Sequence, residues 1–445
     1  MALPDGIDDL QTTLQTICTG RTKDCSVLQN LATSSRSDQS IRLTLAQPAI
    51  LRILTLTVTH TLRDSTVTAS LALRCIGNAC IDNNDARSAV SAVGFGWASP
   101  CVASQDQELS WLTVKVLYNI CSDHDGAQQQ CFEDQIHCDL IQLCIARKDV
   151  NVPQERSLLV DLLFWITGQR DKILAAGGDV ALPGDLLRCL LILPNEYSPS
   201  SDLEDLATLL EICLSFIRDP NVQSQIVHLR FVQDVWQLFN LCEFTISLNA
   251  DAGEIMLPLS TSLMWCLSDI AADDRFSQLY SLDDPWVQVL CNEIRGGGSG
   301  DRHIAAACQV VGNLIRTLSE EQVADLVVMG RLHEHLWVRL TRSAELCDPD
   351  VQHSIAGFLV QLSRPSAAVR DIIGQSEHAG TALSTLCASK VEPIRQDGMR
   401  LLRALGKDCA VNQERFGALA ASLREKDRTS GTTSDALMLD SAAAV

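Results

Sequence analysis

The chain has 445 residues, of which 46% are hydrophobic and 20% are charged, so it can bury a core and is not disordered as a whole. Its 35 Lys and Arg against 55 Asp and Glu give a net charge of −20, which argues against a nucleic-acid backbone or an anionic membrane as the main partner. Two interpretations of the acidity stay open: a basic partner, or charge that only keeps the protein soluble.

The N-terminus, MALPDGIDDLQ, has neither the basic nor the apolar region of a secretory signal. No run approaches the ~18 apolar residues of a membrane-spanning helix. The 18 cysteines include no CxxC pair, and the closest group, Cys131, Cys138 and Cys144, has the spacing of no zinc site. We therefore expect a cytoplasmic protein, with a nuclear location also open, whose cysteines are reduced thiols in the core.

Helical spacing of apolar residues begins near the N-terminus and continues along the chain, and strand signals are almost absent. Residues 54–59 alternate apolar and polar side chains as a strand does, and Thr and Val favour strands. The apolar residues through this segment nevertheless keep the i, i+3/i+4 spacing of a helix (Leu51, Leu54, Val58 and Leu62). We therefore predict a helix there.

Similar segments recur every 41 to 46 residues along the chain. Asn78 in Gly-Asn-Ala-Cys and Asn119 in Tyr-Asn-Ile-Cys are 41 residues apart, and Asn313 in Gly-Asn-Leu-Ile belongs to a later series. A period of this length with only helical patterning is typical of armadillo or HEAT repeats. We predict an all-α fold, an armadillo/HEAT-like right-handed α-solenoid of about eight or nine repeats, with these asparagines on its concave surface.

The repeat pattern also sets the expected domain boundaries. Residues 1–424 are predicted to form a single solenoid. Residues 425–445 are rich in Ser, Thr, Ala and Asp without apolar periodicity, so we expect a disordered tail. The Gly-rich segment 296–300 is either a natural flexible loop between repeats or an engineered replacement for a longer loop.

A search for catalytic motifs is negative for phosphate-binding glycine loops, GxSxG, HExxH and the kinase motifs. His333 and His335 flank Glu334, but residues two apart on a helix point to different faces. We therefore expect no enzyme chemistry, no cofactor and no metal. A binding surface is the remaining interpretation.

Acidic residues concentrate in three segments, which would attract a Lys- and Arg-rich partner if they line a groove. The alternative is that they are solvated charges in loops and at helix starts, where Asp is favoured. The three clusters are Asp123, Asp125, Glu133 and Asp134; Asp202, Glu204, Asp205 and Glu211; and Asp269, Asp273, Asp274, Asp283 and Asp284.

Several short motifs occur in an order that resembles the small-GTPase GDP dissociation stimulators, the Smg GDS family. The resemblance is strongest over residues 255–420 and only generic over 150–250, and ataxin-type armadillo proteins share the Asn-Ala-Cys piece. The motifs include Gly77-Asn78-Ala79-Cys80-Ile81-Asp82, Tyr118-Asn119, Asp273-Asp274-Arg275-Phe276, Gly312-Asn313-Leu314 and Asp350-Val351-Gln352-His353-Ser354.

This resemblance implies a monomeric guanine nucleotide exchange factor and chaperone for Rho- and Rap-type small GTPases with basic, prenylated C-termini. It implies an acidic concave groove and a hydrophobic slot for the prenyl chain, which we place between residues 160 and 290. No covalent chemistry, nucleic acid or membrane insertion is involved. The partner-binding residues implied are Asn78, Asp82, Asn119, Asp123, Asp269, Asp273, Asp274, Asn313, Gln352 and His353.

An armadillo adaptor that binds a basic peptide without exchange activity is the alternative. An importin-like adaptor would carry regular Trp and Asn pairs on successive inner helices, and the Trp residues here keep no fixed offset from the asparagines. A chaperone of Gα-type proteins is a third reading, which no residue in the sequence favours.

Overall fold

The computed structural model describes residues 7–147, 153–178, 180–197, 202–296, 300–342 and 348–430. Over these residues the chain forms 28 α-helices and one short 3₁₀ helix, Ala250–Ala252, and contains no β-strand. The predicted all-α fold class is confirmed.

The helices follow one another closely in the described ranges. The first fourteen are α1 (Ile7–Cys18), α2 (Ser26–Ser34), α3 (Gln39–Leu45), α4 (Pro48–Thr61), α5 (Thr66–Ala79), α6 (Asn84–Val93), α7 (Ser99–Val102), α8 (Gln107–Cys121), α9 (Asp125–Glu133), α10 (Ile136–Ala146), α11 (Pro153–Thr167), α12 (Arg170–Ala175), α13 (Gly184–Tyr197) and α14 (Leu203–Ile217). The others are α15 (Pro220–Leu229), α16 (Val232–Leu248), α17 (Gly253–Ala271), α18 (Phe276–Leu279), α19 (Pro285–Ile294), α20 (Asp301–Ile315), α21 (Glu320–Val328), α22 (Leu332–Arg342), α23 (Pro349–Leu362), α24 (Ala367–Gly374), α25 (Ala379–Cys387), α26 (Glu392–Gly406), α27 (Ala410–Arg415) and α28 (Gly417–Ser430).

The chain divides into two compact units. Unit 1 comprises Met1–Val222 and Leu241–Leu259, and unit 2 comprises Gln223–Asn240 and Ser260–Val445. In unit 1, α5 packs on α2, α4 and α8, and α11 packs on α8 and α14. In unit 2, α20 packs on α19 and α23, and α26 packs on α23 and α25. A single solenoid over residues 1–424 stays a prediction.

The repeat period appears directly in the hydrogen bonds between stacked helices. Asn78 of α5 donates to Ser35, 43 residues earlier, and Gln309 of α20 donates to Ser354, 45 residues later, both at 2.8 Å. A helix with one apolar face must bury that face against a neighbour, and stacking successive repeats achieves this. The stacked helical repeats predicted from the sequence are therefore present in each unit.

Helix α4 contains the segment whose pattern was intermediate between strand and helix. Leu51, Leu54 and Val58 are completely buried. The hydroxyl of Thr57 donates to the carbonyl of Ile53 one turn earlier, at 2.8 Å. This local bond satisfies a buried hydroxyl inside the helix. The helix prediction is confirmed, because apolar spacing outweighs the strand preference of Thr and Val.

A recurring left-handed turn explains two residues that we assigned to a partner. Asp82 and Asp123 have φ angles of 50° and 51°. Each lies directly before a helix N-cap, Asn83 for α6 and His124 for α9. Asp is one of the few residues with a Cβ that adopt this conformation at moderate cost. Both aspartates are exposed, so the turn fixes their backbone and leaves their carboxylates at the surface.

Some members of the acidic clusters are helix caps, as the alternative interpretation proposed. The Asp202 carboxylate accepts from the main-chain N–H of Glu204 at the start of α14. Asp284 accepts from the N–H of Trp286 at the start of α19, at 2.9 Å. Each satisfies an N–H that has no partner within its helix. These two residues are explained by local structure.

The predicted tail is helical where it is described, because α28 continues to Ser430. Glu, Lys and Arg are strong helix formers, and residues 418–430 contain neither Gly nor Pro. Residues 431–445 lie outside the described residues, as do 297–299 of the glycine-rich segment.

No single helix in the described ranges is long and apolar enough to cross a membrane. Helices α3 and α4 meet the length and composition criteria only as a pair, and they are bent by 76° where they meet.

Candidate functional site

Aromatic and acidic side chains meet on three successively packed helices of unit 1, α8, α11 and α14. We call Tyr118, Asp161, Trp165 and Asp205 the acidic–aromatic ladder. The rings of Tyr118 and Trp165 lie 4.7 Å apart, centroid to centroid, and are inclined at 42°. Asp161 lies one turn from Trp165 on α11, close enough to both Tyr118 and Asp205 to affect their electrostatics.

The sequence of α11 accounts for the position of this ladder. Leu162, Leu163 and Ile166 are completely buried and fix one side of the helix in the core. Asp161 and Trp165, at i and i+4 on another side, are half-buried at the edge. The helix therefore presents one carboxylate and one indole together, at the margin of the packed core.

The ladder is strongly negative. Burial, and then the charge of Asp205, raises the pKa of the Asp161 carboxyl. Burial, followed by the charges of Asp161 and Asp123, raises the pKa of Tyr118. Among the described residues Asp161 makes no hydrogen bond or ion pair, and Asp205 accepts only from Ser157, at 2.8 Å. Neither carboxylate forms an ion pair in the described part of the chain. The Arg156 guanidinium of α11 lies over the Tyr197 ring, 4.9 Å from its centre, and the charges of Arg156 and Asp205 both act on that tyrosine.

The nearby lysine on α8 is already paired. Nζ of Lys115 lies 2.9 Å from an oxygen of Glu155 on α11. Because this cation is engaged by another carboxylate, it does not neutralise Asp161 or Asp205. The arrangement is suited to a Lys or Arg side chain of another molecule, which carboxylates attract and aromatic faces stabilise.

The predicted asparagines all donate to the preceding repeat. The amide nitrogen of Asn78 lies 3.2 Å from the carbonyl oxygen of Ala32, in the last turn of α2. The amide nitrogen of Asn119 lies 3.5 Å from the carbonyl oxygen of Gly77, near the end of α5. Carbonyls in the last turn of a helix lack partners within it, so these amides satisfy them. Asn119 also directly follows Tyr118 of the acidic–aromatic ladder.

In unit 2, Asn313 of α20 repeats this pattern. Its amide nitrogen lies 3.0 Å from the carbonyl oxygen of Ser268 on α17. Asp269, the next residue on α17, is exposed, and so is Asp274 in the turn that follows. The predicted residues of α17 and α20 therefore lie close together, with Asn313 held by the fold and the Asp269 carboxylate at the surface.

Asp273 is a structural residue. Burial alone would raise its pKa, but hydrogen bonds from the Arg275 main chain and from Ser224, together with the charge of Arg275, hold the pKa of Asp273 below its ordinary value. The bonds from Arg275 and Ser224 are both 2.9 Å long. Asp273 therefore ties the turn after α17 to α15, and its carboxylate already has partners.

The last two predicted partner-binding residues, Gln352 and His353, differ in their exposure. Gln352 on α23 is buried. His353, its neighbour, is exposed, and its Nδ1 lies 2.7 Å from the Asp397 carboxylate on α26. Its ring centroid lies 6.2 Å from that of Trp265 on α17. His353 on α23 thus contacts side chains of two other helices of unit 2, α26 and α17.

A cavity of about 710 Å³ lies in unit 1, partly outside the range in which a prenyl slot was predicted. It is lined by residues 132, 133, 135, 137 and 138 and by residues 173, 176–178 and 180–183, including Phe132, His137, Ile173 and Leu182. The Phe132 and His137 rings stack with centroids 4.1 Å apart. Burial lowers the pKa of His137 to about 4, so its ring is neutral near pH 7.

Cys131, Cys138 and Cys144, the cysteines that lie closest together in the sequence, were predicted to be core thiols. Cys131 lies next to Cys121, with the sulfur atoms 3.6 Å apart. Cys144 is buried, and burial raises its thiol pKa to about 12. No group of three His, Cys, Asp or Glu residues in the described ranges is arranged to hold a metal ion.

Asp161 was missed in the sequence because it lies in the segment where the repeat pattern is least regular. Its offset of 44 residues from Asp205 fits the period, and that spacing was the signal available. Tyr118 and Trp165 were visible as aromatic residues, but only the packing of α8 on α11 brings their rings together.

Comparison with known proteins assigns no family. No family model matches the chain, and no curated protein matches it. Among solved structures, an engineered protein is 14% identical with a TM-score of 0.45, over 90% of this chain and 96% of that one. A structure described as "A conserved phosphorylation switch controls the interaction between cadherin and beta-catenin in vitro and in vivo" is 13% identical with a TM-score of 0.49, over 93% of this chain and 70% of that one. At this identity, neither neighbour assigns a partner or an activity to this chain.

Proposed function

We propose that the chain is a protein-interaction scaffold that binds a basic segment of a partner protein on its acidic–aromatic ladder. The observation that carries this proposal is the half-buried carboxylate of Asp161, which lies beside Asp205 and Trp165 and forms no ion pair with the described residues. A Lys or Arg side chain from the partner relieves the repulsion between the two carboxylates and packs against the indole.

The overall charge supports the same partner chemistry. A net charge of −20 attracts a basic segment over distances beyond direct contact, which raises the association rate at low ionic strength. Salt at physiological concentration screens this attraction beyond ~8 Å. Binding to the ladder is therefore expected to weaken as salt rises.

We further propose that the partner is a small GTPase of Rho or Rap type with a basic, prenylated C-terminus. This finer proposal is supported by the order of motifs such as Gly312-Asn313-Leu314 that resemble the Smg GDS family, and by the acidity of the ladder. Exchange would then be differential binding, in which the chain holds the nucleotide-free GTPase more tightly than the GDP-bound form.

The cavity lined by Phe132, His137, Ile173 and Leu182 is the site that we propose for the prenyl chain. Its volume lies within the ~300–1,000 Å³ typical of small-ligand sites. Each CH₂ group buried there contributes ~0.8 kcal/mol. The neutral state of His137 near pH 7 is compatible with an apolar ligand, and the one carboxylate in the lining, that of Glu133, belongs to an exposed residue.

Release of a fluorescent GDP analogue from prenylated GTPases tests both the binding of a basic segment and the proposed exchange activity. The full chain is added at low and high salt to one GTPase with a basic tail and to one whose tail lysines are replaced by glutamine. Faster release for the basic tail, reduced at high salt, supports an exchange factor. Complex formation without faster release supports the adaptor alternative. Equal binding to both tails at both salt concentrations would overturn the ladder assignment.

Comparing two variants tests whether the basic tail binds at the acidic–aromatic ladder. Asp161→Asn combined with Asp205→Asn keeps the side-chain shapes and removes both charges, and we expect at least tenfold weaker binding of the basic tail. Glu211→Gln, an exposed position on the same helix as Asp205, is the matched control and is expected to leave binding within about twofold. A loss of the same size in both variants would contradict a specific site.

A further inference from the structure

A second cavity lies within unit 2, between the first half of α16, helix α19 and the start of α20. Its volume is about 380 Å³. Side chains at helical spacing on α16 and on α19 line it, and α20 contributes the ring of His303. The residues that matter are Trp236, Asn240, Trp286, Val289, Glu293 and His303.

Three polar atoms of this lining are buried and lack hydrogen-bond partners among the described residues. They are Nε1 of Trp286, Oδ1 of Asn240 and Oε2 of Glu293. Trp286 is only 7% exposed. Buried polar groups are normally satisfied, and each one left without a partner costs free energy. Three such atoms, contributed by α16 and α19, belong to residues that line this one cavity.

The local cation does not serve Glu293. Arg295, two residues later, donates through Nε to the carbonyl of Gly330 at 3.0 Å and through Nη1 to Asn292 at 2.8 Å. The described chain therefore provides no ion pair for the Glu293 carboxylate. The cavity combines one anionic acceptor, one neutral acceptor and one N–H donor.

The aromatic walls are held in place by their own packing. The Tyr280 ring meets the Trp286 ring edge to face, with centroids 5.7 Å apart. His303 meets Phe239 and Trp236 edge to face, at 5.2 Å and 6.2 Å. Two buried indoles thus border the cavity in fixed orientations, which lowers the entropic cost of binding a planar group against them.

We propose that this cavity binds the guanidinium group of an arginine side chain presented by a partner polypeptide. Guanidinium is planar and cationic and carries several N–H donors in a fixed array, so it can donate to Glu293 and Asn240 while packing on an indole. The N–H of Trp286 is then available to a main-chain carbonyl of the same segment. This inference concerns unit 2 and does not depend on the ladder or on a GTPase partner.

Binding of blocked tripeptides to the full-length chain tests the proposal. The probes are acetyl-Gly-Arg-Gly-amide, the same peptide with citrulline, the same peptide with lysine, and ethylguanidinium. Titration calorimetry and tryptophan fluorescence measure the affinity. We expect the arginine peptide to bind at least tenfold more tightly than the citrulline peptide, which has nearly the same shape without the charge.

The lysine peptide tests whether a planar cation is required, and ethylguanidinium tests whether the cation must belong to a polypeptide. Lysine is expected to bind more weakly than arginine, because ammonium is not planar and does not stack. Ethylguanidinium is expected to bind more weakly than the arginine peptide, since it provides no carbonyl for Trp286. Equal affinity of the arginine and citrulline peptides would overturn the charge recognition, and equal affinity of ethylguanidinium and the arginine peptide would overturn the polypeptide source.

Variants of the lining residues test whether the arginine peptide binds in this cavity. Glu293→Gln preserves the side-chain size and is expected to weaken arginine-peptide binding at least tenfold, and Trp286→Phe to weaken it about threefold or more. Glu321→Gln, exposed on α21, is the matched control. Unchanged binding in Glu293→Gln, with native circular dichroism, would overturn the site. The peptide comparison on the unmodified chain decides the question even if a variant fails to fold.

Discussion

The side-chain amide nitrogen of Asn313 lies 3.0 Å from the main-chain carbonyl oxygen of Ser268, one repeat earlier. Asn78 and Asn119 make the same kind of bond to Ala32 and Gly77. In these three repeats, an asparagine therefore joins the repeat to the preceding one. The side-chain carbonyls of these asparagines accept no hydrogen bond from the described residues.

Replacing Asn313 with Ala should lower the free energy of unfolding by about 1 kcal/mol, because one inter-repeat hydrogen bond is lost. Urea unfolding followed by circular dichroism measures this change. Asn221→Ala, at an exposed position on α15 whose side chain makes no hydrogen bond among the described residues, is the control and should change stability by no more than about 0.5 kcal/mol. If Asn313→Ala were as stable as this control, the bond to Ser268 would not be stabilising.

The left-handed turn at Asp82 gives a second prediction. Asp82→Gly should be neutral or slightly stabilising, because Gly adopts a φ of 50° without strain. Asp82→Val should cost about 1–2 kcal/mol, since a β-branched side chain clashes in this conformation. Thermal unfolding separates the two variants. Equal stability of Gly and Val at this position would contradict the turn geometry.

The Asp82→Gly variant also distinguishes the role of the backbone conformation from the role of the carboxylate charge. Asp82→Gly removes the carboxylate while keeping the fold, so any loss of partner binding in this variant reports the charge alone. The corresponding change at Asp123 should behave alike in stability, because its φ is 51°.

Two helical glycines form a third test, of packing between stacked helices. A Cβ at Gly398 on α26 would lie 2.8 Å from the main-chain nitrogen of Cys387 and from Cβ of Leu386. Gly398→Ala should therefore destabilise the protein by about 1–3 kcal/mol through overpacking. A Cβ at Gly357 on α23 meets no atom within 4 Å.

Gly357→Ala should instead stabilise by about 0.5–1 kcal/mol, because Ala has the higher helix propensity. Urea midpoints of the two variants should shift in opposite directions. Shifts in the same direction would mean that helix propensity, rather than the close approach of α25 and α26, sets the effect of a methyl group at these positions.

The sequence predicted the helices and their period because both follow from local spacing. Leu51, Leu54 and Val58 mark one face of α4 without any knowledge of its neighbours. The candidate sites depended instead on which helices pack together. Asn313 was visible as a periodic residue, but its bond to Ser268 follows from the stacking of α20 on α17. Asp161 became notable only beside Asp205 and Tyr118.

The buried ion pair between Arg170 and Asp219 in unit 1 gives a fourth prediction. The Arg170 guanidinium bonds the Asp219 carboxylate and donates to the Ser215 carbonyl at 3.2 Å. Its Cζ lies 5.1 Å from the centre of the Phe216 ring. Arg170→Met should destabilise by about 3–5 kcal/mol, because it leaves the Asp219 charge buried without its partner.

Arg170→Met combined with Asp219→Asn should recover part of that loss, since no unpaired charge then remains. Urea unfolding of the two single variants and the double variant measures the coupling between the residues. Strictly additive losses would show that the two side chains contribute independently.

The last prediction concerns pH and the pair His353–Asp397. The hydrogen bond to Asp397 raises the pKa of His353 above its ordinary value of 6.5. Burial opposes this shift, the charges of Asp397 and Asp350 support it, and that of Arg400 opposes it. A group whose folded-state pKa is raised stabilises the fold fully below its unfolded pKa, and this stabilisation is lost as the pH rises through the folded value.

Asp397→Asn should therefore destabilise the protein more at pH 5.5 than at pH 8.5. The difference should stay below about 1 kcal/mol, because the His353 side chain is 48% exposed and solvent screens the pair. Urea unfolding at the two pH values measures this difference, and NMR titration of His353 should show its pKa falling in the variant. In His353→Gln, which cannot titrate, the Asp397→Asn change should cost the same at both pH values. A pH-dependent cost there would assign the effect to Asp350 or another neighbouring group instead of the imidazole.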